Sequence, residues 1–415
     1  MKIAYFTDTY EPQINGVVTS IKLFVENLRK NGHEVYIFCP SCSKRDKFTY
    51  VFHSKKFKSY PEYRVGMPNI KLLKEIKKIN PDVIHVHSPF TLGVAGLAIG
   101  RILNIPVIAT YHTMLKEYKE YAGSTHFFKR GAIENYTKWF FNRASIISSP
   151  SRETKKMLKE CGIKKRIEIF PTPSNLDIRN VKNKKPFILH VGRLCREKRI
   201  EIILKAFEKI YSKVNVKLII TSDGPDKKRL MNLCKELKID KKVVFTGYLT
   251  KKELLKLYST ASLFVSASDT ETQGLVVLEA MASGCLVIAR NAQGFKDVVK
   301  NGKNGLLFNT EDELAEKMLF VLKNRKNRSI IKNAYKTVKQ FSLENNNIEK
   351  LYYEALRNNK PSKVYYKLLY ASYLFFSALE FWFIRNLNLT INSRFLDLHL
   401  LLFNEAFFFE RLRKI

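Results

Sequence analysis

The chain has 415 residues, 45% of them hydrophobic, with 73 Lys and Arg against 38 Asp and Glu. That length exceeds what one hydrophobic core usually serves, so two globular domains are expected and a disordered polymer is excluded. A formal charge of +35 and a pI near 9.8 imply an anionic partner: nucleic acid, an anionic bilayer or a phosphorylated small molecule.

The N-terminus MKIAYFTDTY meets a charge at Asp8, too early for the apolar stretch of a signal peptide. Short β-rich runs follow: KIAYFTD (2–8), EVYIFCP (34–40), DVIHVHS (82–88), PVIATYH (106–112) and SIISSPS (145–151). Helical segments such as Thr19 to Lys30 separate them, which is the rhythm of a parallel α/β sheet. Cys39-Pro-Ser-Cys42 has C-x-x-C spacing, but no second pair completes a zinc site, so reduced structural thiols in a cytosolic chain are expected. Residues 69–80, NIKLLKEIKKIN, set apolar residues at helical spacing opposite lysines, as either a membrane-surface helix or a solvated one would. His85 and His87 alternate along a strand and do not suggest a metal. Gly96 to Gly100 matches G-x-x-x-G, yet Arg101 and Pro106 interrupt the run, so a tightly packed soluble helix is expected.

The Pro/Asn/Lys-rich stretch 170–186 reads as a linker. A second series of strands follows: PFILHVGR (186–193), VKLIITSDG (216–224), KVVFTGY (242–248), SLFVSAS (262–268) and CLVIAR (285–290). Residues 1–175 and 176–340 are therefore expected as two Rossmann-like, doubly wound domains facing a cleft, with 341–360 a helix crossing back to the first. From 361 onward the chain is dense in aromatic and aliphatic residues, interrupted by Lys367, Glu380, Asp397 and Glu405. An in-plane amphipathic anchor fits this tail better than a membrane span.

Two motifs carry chemistry. In ETQGLVVLE (271–279) a turn enters a helix apolar on every side through Leu278, hence buried. The helix N-terminus and Gly274 together form a phosphate site, with Glu271 beside whatever the phosphate carries. A buried Glu279 is costly unless it accepts hydrogen bonds, as from the vicinal hydroxyls of a ribose. The competing reading makes Thr270 and Gln273 a capping box and Glu279 half of a structural ion pair. In HVGRLCREK (190–198), Arg193 and Lys198 follow a strand end and can neutralise a diphosphate.

GRLCREK, SDGP (222–225), FTGYL (245–249) and the paired glutamates of 271–279 resemble the retaining glycosyltransferases of family 4, over about residues 1–357. The resemblance implies the two-domain GT-B fold and a hexosyltransferase that retains anomeric configuration. It implies that Arg193 and Lys198 bind the donor diphosphate, Glu271 the sugar hydroxyls and Glu279 the ribose. Gly274, Leu275 and Val276 would offer backbone groups, and Tyr248 and Leu249 would hold the nucleobase. In the first domain QINGV (13–17) places Gly16 opposite the phosphates, and TYHT (110–113) places His112 near the reacting sugar.

A nucleotide sugar is thus the expected co-substrate, UDP-glucose before UDP-galactose and GDP-mannose. No tightly bound cofactor and no metal site are expected, although Mg2+ could stimulate. TDTYEPQINGV and SDTETQGLVVLEAMASG most resemble members that glycosylate diacylglycerol or other membrane lipids. The expected partners are diacylglycerol and an anionic bilayer surface, at the cytoplasmic face of the membrane, with no nucleic acid. Another acceptor (a phosphatidylinositol-type lipid, a polysaccharide or a protein) and a non-enzymatic basic membrane- or RNA-binding protein remain the alternatives, and oligomeric state is open.

Overall fold

The computed structural model describes residues 1–57, 60–68, 70–112, 131–173, 184–324, 328–342 and 347–359. The tail from 361 onward and most of the linker lie outside the described residues. The first sheet comprises β1 (Lys2–Phe6), β2 (Glu34–Cys39), β3 (Thr49–Val51), β6 (Val83–Val86), β7 (Val107–Thr110), β8 (Ile146–Ser149) and β9 (Ile167–Ile169); β4 (Ser54–Phe57) and β5 (Tyr60–Gly66) form a separate antiparallel hairpin. The second comprises β10 (Lys185–Val191), β11 (Lys217–Thr221), β12 (Val243–Phe245), β13 (Ala261–Ser266), β14 (Leu286–Arg290) and β15 (Leu306–Phe308). Both are wholly parallel.

The first domain carries helices α1 (Gly16–Lys30), α2 (Ile70–Ile79), α3 (Thr91–Leu103), α4 (Ala132–Phe141) and α5 (Arg152–Glu160). The second carries α6 (Ile200–Glu208), α7 (Lys227–Glu236), α8 (Lys251–Thr260), α9 (Leu275–Ala282), α10 (Gln293–Val298) and α11 (Glu311–Lys323), followed by α12 (Arg328–Gln340) and α13 (Glu349–Arg357). Parallel strands covered on both faces read as continuous apolar runs, and Ile3 to Phe6 and Leu263 to Val265 are fully buried. Each sheet has a core on either face. Helix α13 packs Leu351, Tyr352 and Ala355 against Ile3, Tyr5 and Ile21, so the chain returns to the first sheet.

All ten sequence-expected runs are strands. The edge strands β3, β9 and β15 have three residues each, too short to show a period, and they and the hairpin went unread. Helix α2 buries Leu72, Ile76 and Ile79 in the core while Lys71, Lys74, Lys77 and Lys78 are exposed. The face that carries Leu72, Ile76 and Ile79 is therefore covered by protein, and the lysines face outward. The glycine pair in α3 serves packing: a Cβ on Gly96 would fall 2.7 Å from Val86 Cγ1, and one on Gly100 2.2 Å from Val107 Cγ2. Cys39 and Cys42 are free thiols, and burial pushes the Cys39 thiol up to about 12. Among the described residues no helix is long and apolar enough to cross a membrane.

Candidate active site

Strand order places the site. The first sheet runs β3-β2-β1-β6-β7-β8-β9 and the second β12-β11-β10-β13-β14-β15, so the winding reverses between β1 and β6 and between β10 and β13. At such a switch the connecting helices leave on opposite faces, opening a crevice beyond the strand C-termini. Gly16 follows β1, His87 follows β6, Arg193 and Lys198 follow β10, and Glu271 to Gly274 follow β13.

The structure brings two of the predicted charged residues together. Lys198 Nζ lies 2.5 Å from Glu271 Oε1. Burial opposes the Lys198 charge, but the adjacent Glu271 carboxylate outweighs it and holds the ammonium above its usual range. Arg193 Nη2 lies 3.2 Å from Glu197 Oε1, one helical turn along the same loop. Asp269, just before Glu271, is bridged by Arg199 at 3.0 Å and Arg290 at 2.5 Å, which fixes the base of the Glu271 loop.

Gly274 caps α9 in the left-handed region at φ +85°, with no side-chain cap. A Cβ there would lie 2.6 Å from Phe295 Cδ1, so both conformation and space call for glycine. Leu275 and Val276 open the helix. The capping-box alternative does not form: Gln273 turns toward the first domain, where Oε1 accepts from Thr172 N at 2.6 Å and Nε2 donates to Thr172 O at 2.9 Å. Among the described residues no cation forms an ion pair with Glu279; Tyr258 OH donates to its Oε2 at 2.8 Å. Burial nevertheless raises the Glu279 carboxyl above its ordinary range. Tyr248 is 48% exposed beyond β12, after Gly247, whose carbonyl accepts from Ser222 N at 2.7 Å, and Leu249 is half-buried beside it.

Across the cleft, Gly16 is the first residue of α1, and a Cβ there would lie 3.8 Å from Leu275 Cδ1. The starts of α1 and α9 therefore face each other. Thr272 Oγ1 donates to the His112 carbonyl at 3.1 Å, tying the Glu271 loop to β7's end. The carboxylate of Asp297 accepts from the backbone of Arg152 and, at 3.3 Å, of Glu153, capping α5 from the other domain.

His112 belongs to a set of rings that sequence reading did not assemble. His112 Nε2 lies 3.0 Å from His87 Nδ1, and their rings stack at 5.3 Å. His85 is bonded by Thr110 Oγ1 at 2.6 Å and by Tyr352 OH at 2.9 Å. Burial lowers the His112 pKa to about 3. Tyr258 and Asp297 lie outside every motif of the sequence, whereas Gln273, His85, His87 and His112 stand inside motifs whose spacing does not disclose these partners.

Among the described residues no group of His, Cys, Asp or Glu is arranged to hold a metal ion. Asp8, a carboxylate beside the first switch point, is fully engaged by Ser88 Oγ (2.7 Å), Thr91 Oγ1 (2.8 Å), Leu92 N (3.0 Å) and Gly93 N (3.3 Å).

A family model described as Glycosyltransferase Family 4 matches residues 14–178, and one described as Glycosyl transferases group 1 matches residues 172–337. The chain is 30% identical to the alpha-monoglucosyldiacylglycerol synthase of Streptococcus pneumoniae over 78% of each chain. It is 31% identical to that of Acholeplasma laidlawii, over 78% of this chain and 89% of the other. It is 28% identical to the GDP-mannose-dependent alpha-mannosyltransferase of Mycobacterium tuberculosis, over 74% of this chain and 83% of the other. Among solved structures it resembles the pneumococcal O-GlcNAc transferase GtfA in complex with UDP and GlcNAc, with a TM-score of 0.68 at 13% identity over 86% of this chain and 99% of that one.

Proposed function

The chain belongs to the family 4 glycosyltransferases, a hexosyltransferase of GT-B fold, and we propose that it transfers glucose from UDP-glucose to diacylglycerol at a membrane surface, with retention of anomeric configuration. The observation that carries this reading is the Lys198–Glu271 pair set against the N-terminus of α9, in a chain whose relatives at 30 and 31% identity are glucosyldiacylglycerol synthases.

In this reading Arg193, Lys198 and the α9 N-terminus stabilise the charge that builds on the leaving diphosphate. Glu271 accepts hydrogen bonds from sugar hydroxyls and Glu279 from the ribose. Tyr248 and Leu249 receive the base, while Gly274, Leu275 and Val276 offer backbone N–H groups. Gly16 approaches the phosphates from the first domain, and neutral His112 orients the hexose. Asp8 has its lone pairs engaged and Glu271 is held by Lys198, so neither is a free nucleophile. The acceptor hydroxyl then attacks from the side of the leaving group. As the anomeric C–O bond breaks, its proton passes to the departing phosphate oxygen.

The lysine face of α2 and Ile14, 71% exposed in the loop before Gly16, suit an acceptor drawn from an anionic bilayer. With the tail as apolar anchor, they would supply the two signals that peripheral attachment needs. The mannosyltransferase relative keeps GDP-mannose as the rival donor.

The test mixes the purified chain with phosphatidylglycerol-rich vesicles containing diacylglycerol and supplies UDP-glucose, UDP-galactose or GDP-mannose separately. Mass analysis of extracted lipid should find hexosyl-diacylglycerol from UDP-glucose, lost in Glu271→Ala. Nucleotide binding without glycolipid from any donor would reject the lipid acceptor.

A further inference from the structure

His190 stands one residue before the end of β10, fully buried. Its Nδ1 lies 3.0 Å from the carbonyl oxygen of Val265 on β13. A carbonyl can only accept, so Nδ1 carries the proton and Nε2 of the neutral ring keeps a lone pair. Among the described residues nothing partners that atom. Buried side-chain polar atoms nearly always have a partner, so an orphan in a candidate site points to a ligand.

The position of Nε2 says which ligand. A Cβ on Gly192 would lie 3.3 Å from Nε2 and 3.9 Å from Lys198 Cδ, so the imidazole edge and the lysine stem flank the same glycine. Lys198 and Glu271 both act electrostatically on the ring, Lys198 opposing its protonation and Glu271 favouring it. Burial dominates both and lowers the His190 pKa to about 4, so the ring is neutral near pH 7. A lone pair repels the oxygens of a diphosphate and takes a hydrogen bond from a hydroxyl. Lys198 Nζ, the nearby cationic donor, is held by Glu271.

We propose that His190 is a further donor-site residue whose Nε2 accepts a hydrogen bond from a hydroxyl of the nucleotide-bound hexose, beside Gly192 and Lys198. The inference rests on the nucleotide-sugar reading above. It adds a sugar contact that the diphosphate-binding cations do not make.

Equilibrium binding to the full chain without acceptor tests it, using UDP against UDP-glucose, with GDP against GDP-mannose in parallel so that the pair that binds serves as readout. His190→Asn keeps a donor for the Val265 carbonyl and lacks the outer nitrogen. It should bind free nucleotide as the wild type does while the affinity ratio of sugar nucleotide to nucleotide falls by roughly 3- to 10-fold, as for one lost hydrogen bond. His190→Gln, whose longer amide reaches toward the Nε2 position, should restore most of that ratio. If His190→Asn does not fold, Gly192→Ala covers Nε2 without changing the ring and should lower the ratio likewise. An unchanged ratio, or equal losses for nucleotide and sugar nucleotide, overturns the assignment. A wild type that binds neither UDP nor GDP overturns the nucleotide-sugar reading itself and this inference with it.

Discussion

Lys198 and Glu271 meet at 2.5 Å across the switch point of the second sheet, one from the loop after β10 and one from the loop after β13. Burial opposes the Lys198 charge, and the Glu271 carboxylate beside it holds the ammonium above its usual range. Lys198→Met should weaken nucleotide diphosphate binding and lower turnover by about 10²- to 10³-fold, the range for losing one preorganised electrostatic group. Glu271→Gln should leave free nucleotide affinity within a few-fold while lowering turnover comparably, because its partner in the complex is the sugar. Steady-state rates with calorimetric nucleotide binding separate the two, and turnover within threefold of wild type in both variants would reject the placement.

Tyr258 OH supports the half-buried Glu279 carboxylate at 2.8 Å. Tyr258→Phe removes that donor and should cost about 1–3 kcal/mol of stability at pH 8, the range for an unsatisfied buried group. Burial already raises the Glu279 pKa, so the folded state holds the proton more tightly than the unfolded chain. Stability from that shift is full below the unfolded value, near 4.5, and is lost as pH rises through the folded one. The variant should therefore be less impaired at pH 4.5 than at pH 8. Urea unfolding at both values checks this, and equal losses would exclude Glu279 as the responsible group.

Sequence and structure agree where a local pattern carries the information. A fully buried parallel strand is a continuous apolar run, so β1, β6, β10 and β13 could be read directly, and the loops after them held most of the named site. What escaped was tertiary in origin. Nothing near Gln273 says that its amide will pair with Thr172, 101 residues earlier in the chain. The same holds for Tyr258 and Glu279, and for His85 and Tyr352, which lie 267 residues apart. Helix α2 shows the converse. Its pattern was legible, but whether the apolar face met a bilayer or the protein's own sheet depended on the three-dimensional packing.

Buried His85 and His87 and half-buried His112 share one set of ring contacts, and desolvation lowers all three pKa values, that of His112 to about 3. The unfolded chain takes up protons near pH 6.5 that the folded chain refuses. The stability these groups contribute is thus present above that value and lost as pH falls toward their folded values. Unfolding free energy should decline steadily from pH 7.5 to pH 5. His87→Phe removes one of the titrating groups and should flatten the slope, whatever it does to stability at pH 7.5. Chemical denaturation across that range measures the slope, and an unchanged one would place the proton uptake elsewhere.

Gln273 places both atoms of its amide against the Thr172 backbone. Its Oε1 accepts from Thr172 N and its Nε2 donates to Thr172 O, both within a buried crossing between the domains, and Thr172 Oγ1 continues the contact to Ser20 at 2.8 Å. Gln273→Glu keeps shape and acceptor but sets a carboxylate oxygen against the Thr172 carbonyl. That oxygen must either be protonated or push the domains apart. The expected cost is about 1–3 kcal/mol near pH 7, with a larger radius of gyration by X-ray scattering. Gln273→Glu also leaves Lys198 and Glu271 in place, so nucleotide binding to the second domain should persist while turnover falls, because Gly16 and His112 come from the other side of the crossing. Scattering and turnover both unchanged would mean that Gln273 does not hold the domains in register.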